Sequence, residues 1–144
     1  MAYCTLADVK ALNAKRTYDE TSTPTSSQVE TLINQVANEI DFSLTNNGYT
    51  VPITSPDVAV KFLQNLNALG AAGLAESAMF PEKVVPGETS HGQILRKDYE
   101  GGLKYLRDNG IETAAKSTGQ PSSYQVNNPD ASNIDAIVEK DMKF

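Results

Sequence analysis

The sequence ANEIDFSLTNNGYTVPI, residues 37–53, decides the fold, because it contains the end of an amphipathic helix and the turn after it. Val36, Ile40 and Leu44 recur every four residues, which is the spacing of one helix face. Residues 46–48 are Asn-Asn-Gly, which tolerate the positive φ at which helices often end. An apolar cluster follows at Tyr49, Val51, Pro52 and Ile53. We expect this turn to be covered by other parts of the protein.

Two helices are predicted up to this turn. Thr5 is a good N-cap for a short first helix that reaches about residue 13. Residues 17–27 are rich in Thr, Ser and Asp and contain a proline, so they predict an irregular, solvated loop. The second helix is predicted to begin after residue 26 or 27 and to reach about residue 45.

Two further helices are predicted after the turn. Ser55 is the expected N-cap of the third, with Pro56 at the first helical position, and this helix reaches about Met79. The fourth spans about residues 93–109, is capped by Thr89 or Ser90, and ends at Gly110. The result is an all-α protein, a small four-helix bundle with long loops.

Small residues replace large ones on most faces of the third helix. They are Ala68, Gly70, Ala71, Ala72, Gly73 and Ala75. Helix axes can approach closely there, and the packing partner is either inside the subunit or in a neighbouring one. Gly101 and Gly102 interrupt the fourth helix, where they can kink it, allow a close approach, or form a hinge between two assembly states.

The composition changes after Gly110, which divides the chain into a helical domain (1–110) and an extended C-terminal tail (111–144). Residues 117–133 are mostly polar and cannot bury enough apolar surface to fold alone. Residues 134–144 could form a short helix, which would be marginal in water by itself. We expect the tail to become ordered on assembly, with simple disorder as the alternative.

Charge and composition exclude several classes of function. The net charge of −6 argues against binding nucleic acid by neutralising phosphates. Lys15 and Arg16 are expected to lie at the C-terminal end of the first helix, where cations are favourable. The single cysteine, Cys4, is interpreted as a small buried hydrophobe. Polar residues interrupt the apolar stretch 58–80, so no membrane span is predicted.

No set of residues supports catalysis, and we predict that the protein is not an enzyme and has no cofactor. His91 is the only histidine and lies in a predicted loop near the start of the fourth helix. One histidine, one cysteine and scattered carboxylates provide no close-set metal ligands. No glycine-rich loop stands beside a lysine at phosphate-binding spacing.

The first two thirds of the chain resemble the head-to-tail connector proteins of long-tailed bacteriophages. Their pattern is a short helix that opens with Thr-x-x-Asp, a helix that ends in Ile-Asp-x-x-Leu, and then Gly-Tyr-x-x-Pro. The matching residues are Thr5, Asp8, Ile40, Asp41, Leu44, Gly48, Tyr49 and Pro52.

The resemblance implies a structural virion protein at the head-tail interface, assembled in the host cytoplasm. It implies a ring of twelve copies on the portal protein, with a stopper or tail-completion protein on the other side and DNA passing through without sequence-specific binding. The expected contact residues in the tail are Tyr124, Val126, Ile134, Ile137, Val138, Met142 and Phe144.

Three residues near the turn are also candidates for partner binding. Asp41 lies at the unfavourable end of a helix dipole, so it is either solvated or paired with a basic residue of the same or an adjacent subunit. Tyr49, considered together with Pro52, either covers the core or contacts another subunit. Two other classes of protein remain open: a tail-completion (terminator) protein, for which we expect more strand, and a cellular helical protein-binding module.

Overall fold

The computed structural model describes residues 1–80, 89–111 and 114. Within these ranges the chain forms four helices and no strand. The helices are α1 (Leu6–Leu12), α2 (Ser26–Asn46), α3 (Asp57–Met79) and α4 (His91–Asn109). The predicted all-α, four-helix bundle is confirmed. Apart from residues 111 and 114, the predicted tail lies outside the described residues.

Hydrogen bonds at the helix starts explain where each helix begins. At α1 the Asp8 carboxylate accepts the Thr5 backbone N–H at 2.7 Å, as the spacing of the two residues predicts. At α2 the cap is Thr25, whose hydroxyl accepts the Gln28 N–H while the Gln28 side chain accepts the Thr25 N–H. This reciprocal capping box starts the helix at Ser26, one or two residues earlier than predicted.

The starts of α3 and α4 also differ from the predicted positions. Pro56 is the N-cap of α3 with extended backbone, and its carbonyl accepts the N–H groups of Ala59 and Val60. The helix therefore begins at Asp57, one residue later than predicted. α4 begins at His91, two residues earlier than predicted, because Ser90 and Gln93 form a second reciprocal capping box.

The loop between α1 and α2 is more ordered than a solvated connection. Tyr18 is 2% exposed, and its hydroxyl accepts a hydrogen bond from the Asn13 side chain. The Asp19 carboxylate accepts hydrogen bonds from Thr21 and Ser22. These bonds lower the pKa of Asp19, with the Thr21 hydroxyl as the largest cause. The loop is irregular and mostly exposed, as predicted, but it is more than a solvated connection because the buried Tyr18 anchors it.

Two groups of buried side chains form the core. The first lies among α2, α3, α4 and the turn after α2, and it includes Ile40, Leu63 and Leu106. The second lies where α1 and the loop after it pack on α2 and α3, and it includes Val9 and Tyr18. The four helices therefore share a continuous set of contacts with α3 at the centre.

The small residues of α3 pack inside the subunit. A β-carbon at Gly70 would lie 2.7 Å from Val36 Cγ1 of α2, and one at Gly73 would lie 2.7 Å from Arg96 Cγ of α4. The alanines in the same stretch are buried against α1 and α2. This is the first of the two predicted alternatives. Among the described residues, no helix is sufficiently long and apolar to cross a membrane.

Candidate functional site

The turn after α2 ends that helix with a specific hydrogen-bond pattern. Gly48 has φ of 83°, its N–H donates to the Thr45 carbonyl, and the Tyr49 N–H donates to the Leu44 carbonyl. These two bonds define a Schellman motif, in which the residue after the glycine packs on the last turn of the helix. Tyr49 and Leu44 accordingly belong to the same core cluster. We call residues 47–53 the corner.

Tyr49 connects the corner to the end of the helical domain. Its side chain is 5% exposed. The hydroxyl accepts the Ile111 N–H and donates to the Ile111 carbonyl, both at 2.8 Å. Gly110, with φ of 66°, lies so close that a β-carbon there would be 2.6 Å from the Tyr49 hydroxyl oxygen. Tyr49 therefore covers the core of its own subunit and fixes the backbone where the C-terminal tail departs.

Asp41 connects α2 to the amino-terminal segment. Its carboxylate accepts a hydrogen bond from the Tyr3 hydroxyl, whose oxygen also accepts the Ile53 N–H at 3.2 Å. The N-terminal ammonium of Met1 lies 4.0 Å from the second carboxylate oxygen. Burial, followed by the hydrogen bond to Asp41, raises the pKa of Tyr3. Asp41 is thus held within the subunit, and the expectation of a solvated acid is wrong.

Pro52 is the candidate contact residue at the corner that faces solvent. Val51 is half-buried before it, and Ile53 is buried after it. The structure therefore brings Asp41, Tyr49 and Pro52 to one end of the bundle, where Pro52 alone of the three is exposed. The seven tail residues predicted as contacts, 124 to 144, lie outside the described residues.

Asn67 is an important residue that sequence reasoning missed. It is fully buried in α3, and its side-chain oxygen accepts the backbone N–H groups of Tyr3 and Cys4 at 3.0 and 3.2 Å. Its amide donates to the Ile33 carbonyl of α2 at 2.9 Å. One side chain therefore joins the amino-terminal segment, α2 and α3. The sequence signal is weak, because an asparagine between Leu66 and Ala68 resembles any solvent-facing polar residue.

Arg16 was expected at the C-terminal end of α1, and it instead binds α3. Its Nε lies 3.1 Å from Oε1 of Glu76, which is 7% exposed, and its guanidinium lies 4.6 Å from the ring centre of Phe80. The prediction for Arg16 is wrong because a buried carboxylate near the end of α3 is a better partner than exposed carbonyls of a seven-residue helix.

His91 lies at the start of α4, as predicted, and its role there is to join helices. Its Nε2 is 3.1 Å from Oδ1 of Asn13 and 3.3 Å from the Leu12 carbonyl. These groups border a cavity of about 450 Å³ that also meets Arg16 and Glu76. Within the described ranges no group of three metal-ligating side chains occurs.

Cys4 is buried, as predicted. Burial, and secondarily the charge of Asp8, raises the pKa of its thiol to about 12. A thiol of this kind remains protonated at neutral pH and contributes as a small apolar group.

The comparisons with known proteins give no relative. No protein-family profile, no curated protein and no solved structure matches this chain.

Proposed function

We propose that the protein is a head-to-tail connector subunit of a long-tailed bacteriophage, which forms a ring on the portal protein. The observation that carries this proposal is the role of the residues on which the resemblance rests. They are scattered between positions 5 and 52, yet they build one structural unit. Asp8 caps α1, Asp41 binds Tyr3 just before that helix, and Gly48 and Tyr49 form the corner.

The position of Ile111, where the tail begins, also supports the proposal. Tyr49 holds both backbone groups of Ile111, so the tail begins at the same corner that binds the amino-terminal segment. A polar segment that carries a few apolar residues can become ordered on a large partner surface. In the proposed ring the tail contacts the portal, and the exposed Pro52 belongs to the same corner as Tyr49.

The charge of the chain fits a channel through which DNA passes. A net charge of −6 provides no general attraction for phosphates. Acidic groups that line a channel would repel the DNA backbone and keep the DNA mobile. In this proposal the protein grips neither bases nor phosphates, and the stopper or tail-completion protein binds the opposite side of the ring.

Two other classes of protein are less well supported. Four helices without a strand in the described ranges favour a connector over a tail terminator, for which we expect strands. A cellular helical binding module is compatible with exposed apolar side chains such as Phe42, which is 68% exposed. The gene neighbourhood separates these classes, since portal and capsid genes beside this gene favour the connector.

Removal of residues 119–144 tests the role of the tail in the proposed assembly. The full chain is expected to bind the cognate portal, whereas the deletion variant binds at least tenfold more weakly, as measured by surface plasmon resonance on immobilised portal. A matched control carries the same 26 residues in scrambled order and is expected to bind as weakly as the deletion variant. Circular dichroism checks that both variants keep the four helices.

The outcomes of this experiment are distinct. If the deletion variant binds the portal and completes particles as well as the full chain, the assigned role of the tail is wrong. If the full chain does not bind the portal, the proposed function itself is wrong.

A further inference from the structure

One side of the α3–α4 pair carries large apolar side chains that are substantially exposed. Val58 is 70% exposed, Phe62 38%, Ile94 47% and Tyr105 53%. The rings of Phe62 and Tyr105 meet edge to face, with 6.4 Å between their centres. We call the surface formed by these four residues and Gly101 the α3–α4 face. Exposed apolar residues that are contiguous usually mark a binding surface.

Helical geometry places these residues on one surface. Ile94, Gly101 and Tyr105 are separated by seven and four residues, so they lie along one side of α4. Val58 and Phe62, four residues apart, lie along one side of α3. The contact between Phe62 and Tyr105 shows that both rows face the same direction.

Gly101 provides a second, independent observation. Its neighbour Gly102 is explained inside the subunit, because a β-carbon there would lie 2.5 Å from Cδ1 of Leu66. At Gly101 a β-carbon would meet no atom of the described chain within 4 Å. Gly101 lies between Ile94 and Tyr105 on this side of α4, next to the exposed Asp98. Because glycine disfavours a helix interior, its presence there indicates that another element comes close.

We propose that this element is the chain's own C-terminal segment, residues 134–144, docked as a helix on the α3–α4 face. Ile134, Ile137, Val138 and Met142 have the spacing of one helix face. The eleven residues would form a helix about 16 Å long. Ile94 and Tyr105 are eleven residues apart on α4, and Ile134 and Met142 are eight residues apart, so the apolar part of the segment fits within the length of this side of α4.

The connection is long enough for the segment to reach this face. Ile111 lies six residues after Tyr105, and its backbone N–H is hydrogen-bonded to the Tyr49 hydroxyl. A flexible chain of twenty residues, the number from 114 to 134, has a root-mean-square span of about 25 Å. Such a linker gives an effective concentration in the millimolar range. At micromolar protein the chain's own segment therefore outcompetes a second copy for the face.

This inference does not depend on the proposed function. If both hold, the docked segment shields Ile137, Val138 and Met142 from solvent before assembly. The portal then competes for the segment.

Disulfide capture tests the docking directly. Gly101→Cys combined with Val138→Cys places one thiol at the centre of each apolar surface, whichever direction the segment runs. The control pair is Asn38→Cys with Val138→Cys. Asn38 in α2 and Gly101 in α4 are both exposed, and each lies eight residues before the end of its helix. The native Cys4 is buried in both proteins.

The readout is the rate of intramolecular disulfide formation at about 5 µM protein in a glutathione buffer, followed on non-reducing gels and by mass spectrometry. We expect the Gly101→Cys pair to close at least tenfold faster than the control pair. Adding Phe62→Asp should reduce that rate to the control level. Equal rates for the two pairs would overturn the proposal. Predominant disulfide-linked dimers would also overturn it, because a second copy would then occupy the face.

Discussion

Asn67 illustrates how much a single side chain can connect. Its side-chain oxygen accepts the backbone N–H groups of both Tyr3 and Cys4, which lie 64 and 63 positions away in the chain. Its own amide group is satisfied by Ile33 of α2. This buried amide therefore holds three elements in a fixed relative position. Breaking any of its three hydrogen bonds would leave a buried polar group with no partner, which is costly in free energy.

Asn67→Leu should therefore destabilise the protein strongly, although leucine has the same number of side-chain heavy atoms in the same branched arrangement. We expect the free energy of unfolding to fall by about 2–3 kcal/mol, because two backbone donors lose their acceptor in the core. Urea titration monitored by circular dichroism measures the change. Asn38→Leu, at an exposed position of α2, should change stability by less than about 0.5 kcal/mol. Equal effects at the two positions would contradict this role.

Two glycines should respond to alanine with opposite signs. Gly110→Ala places a β-carbon 2.6 Å from the Tyr49 hydroxyl oxygen at φ of 66°, so we expect a loss of about 2–3 kcal/mol. In a chain without residues 119–144, where no docked segment covers α4, a β-carbon at Gly101 meets no described atom within 4 Å, so we expect Gly101→Ala to gain about 0.8–1 kcal/mol. Thermal and urea unfolding of both variants measure these effects. A destabilising Gly101→Ala, or a neutral Gly110→Ala, would show that the local geometry is different.

At this scale the sequence predicts what depends on neighbours in the chain. The Gly48 turn and the cap by Ser90 follow from local preferences, and both are found. The partners of Asn67 and Arg16 do not follow, because they lie between 34 and 64 residues away and periodicity gives no distance between helices.

Contacts between helices depend on a few long-range polar pairs as well as on the core. The Tyr99 hydroxyl of α4 donates to the Glu39 carboxylate of α2 at 2.7 Å. Burial, followed by this hydrogen bond to Glu39, raises the pKa of Tyr99 above its ordinary value of 10.0. The pair holds α4 against α2 while the phenol is protonated.

The stability contributed by Tyr99 should be lost at alkaline pH. Above about pH 10 the unfolded chain releases the phenol proton while the folded chain retains it, so the free energy of unfolding falls as pH rises. Below that pH the contribution is complete. Tyr99→Phe should reduce the slope by up to about 1.4 kcal/mol per pH unit, as measured by urea unfolding between about pH 9 and 11. Glu39→Gln should give an intermediate slope. An unchanged slope in Tyr99→Phe would exclude this origin.

The helices themselves were largely predictable, and their starts less so. The apolar period identifies all four, with ends at Met79 and Asn109 as predicted. The starts shift by one or two residues because several Ser and Thr residues are chemically equivalent caps, and only the position of Gln28 or Gln93 selects among them. The sequence did not predict whether the small residues of α3 pack inside the subunit or against a neighbouring one, and the structure shows that they pack inside it.

Across the whole molecule, both ends of the helical domain converge on the corner. Tyr3 is held there by hydrogen bonds with Asp41 and Ile53, and Ile111 is held there by a hydrogen bond with Tyr49. The turn itself was predictable from residues 46–53, whereas these connections span 38 to 62 positions and were not. Asp41 and Tyr49 thus have structural roles within the subunit, and their contact with another subunit stays a prediction.

We propose that this domain is a connector subunit whose assembly depends on the portal. Light scattering coupled to size-exclusion chromatography, of the purified full chain alone and mixed with the cognate portal, tests it most directly. We predict a mass near the 15.5 kDa of one chain for the protein alone, and a portal complex that carries a ring of subunits in the mixture. A stable dimer whose mass does not change when the portal is added would contradict this proposal.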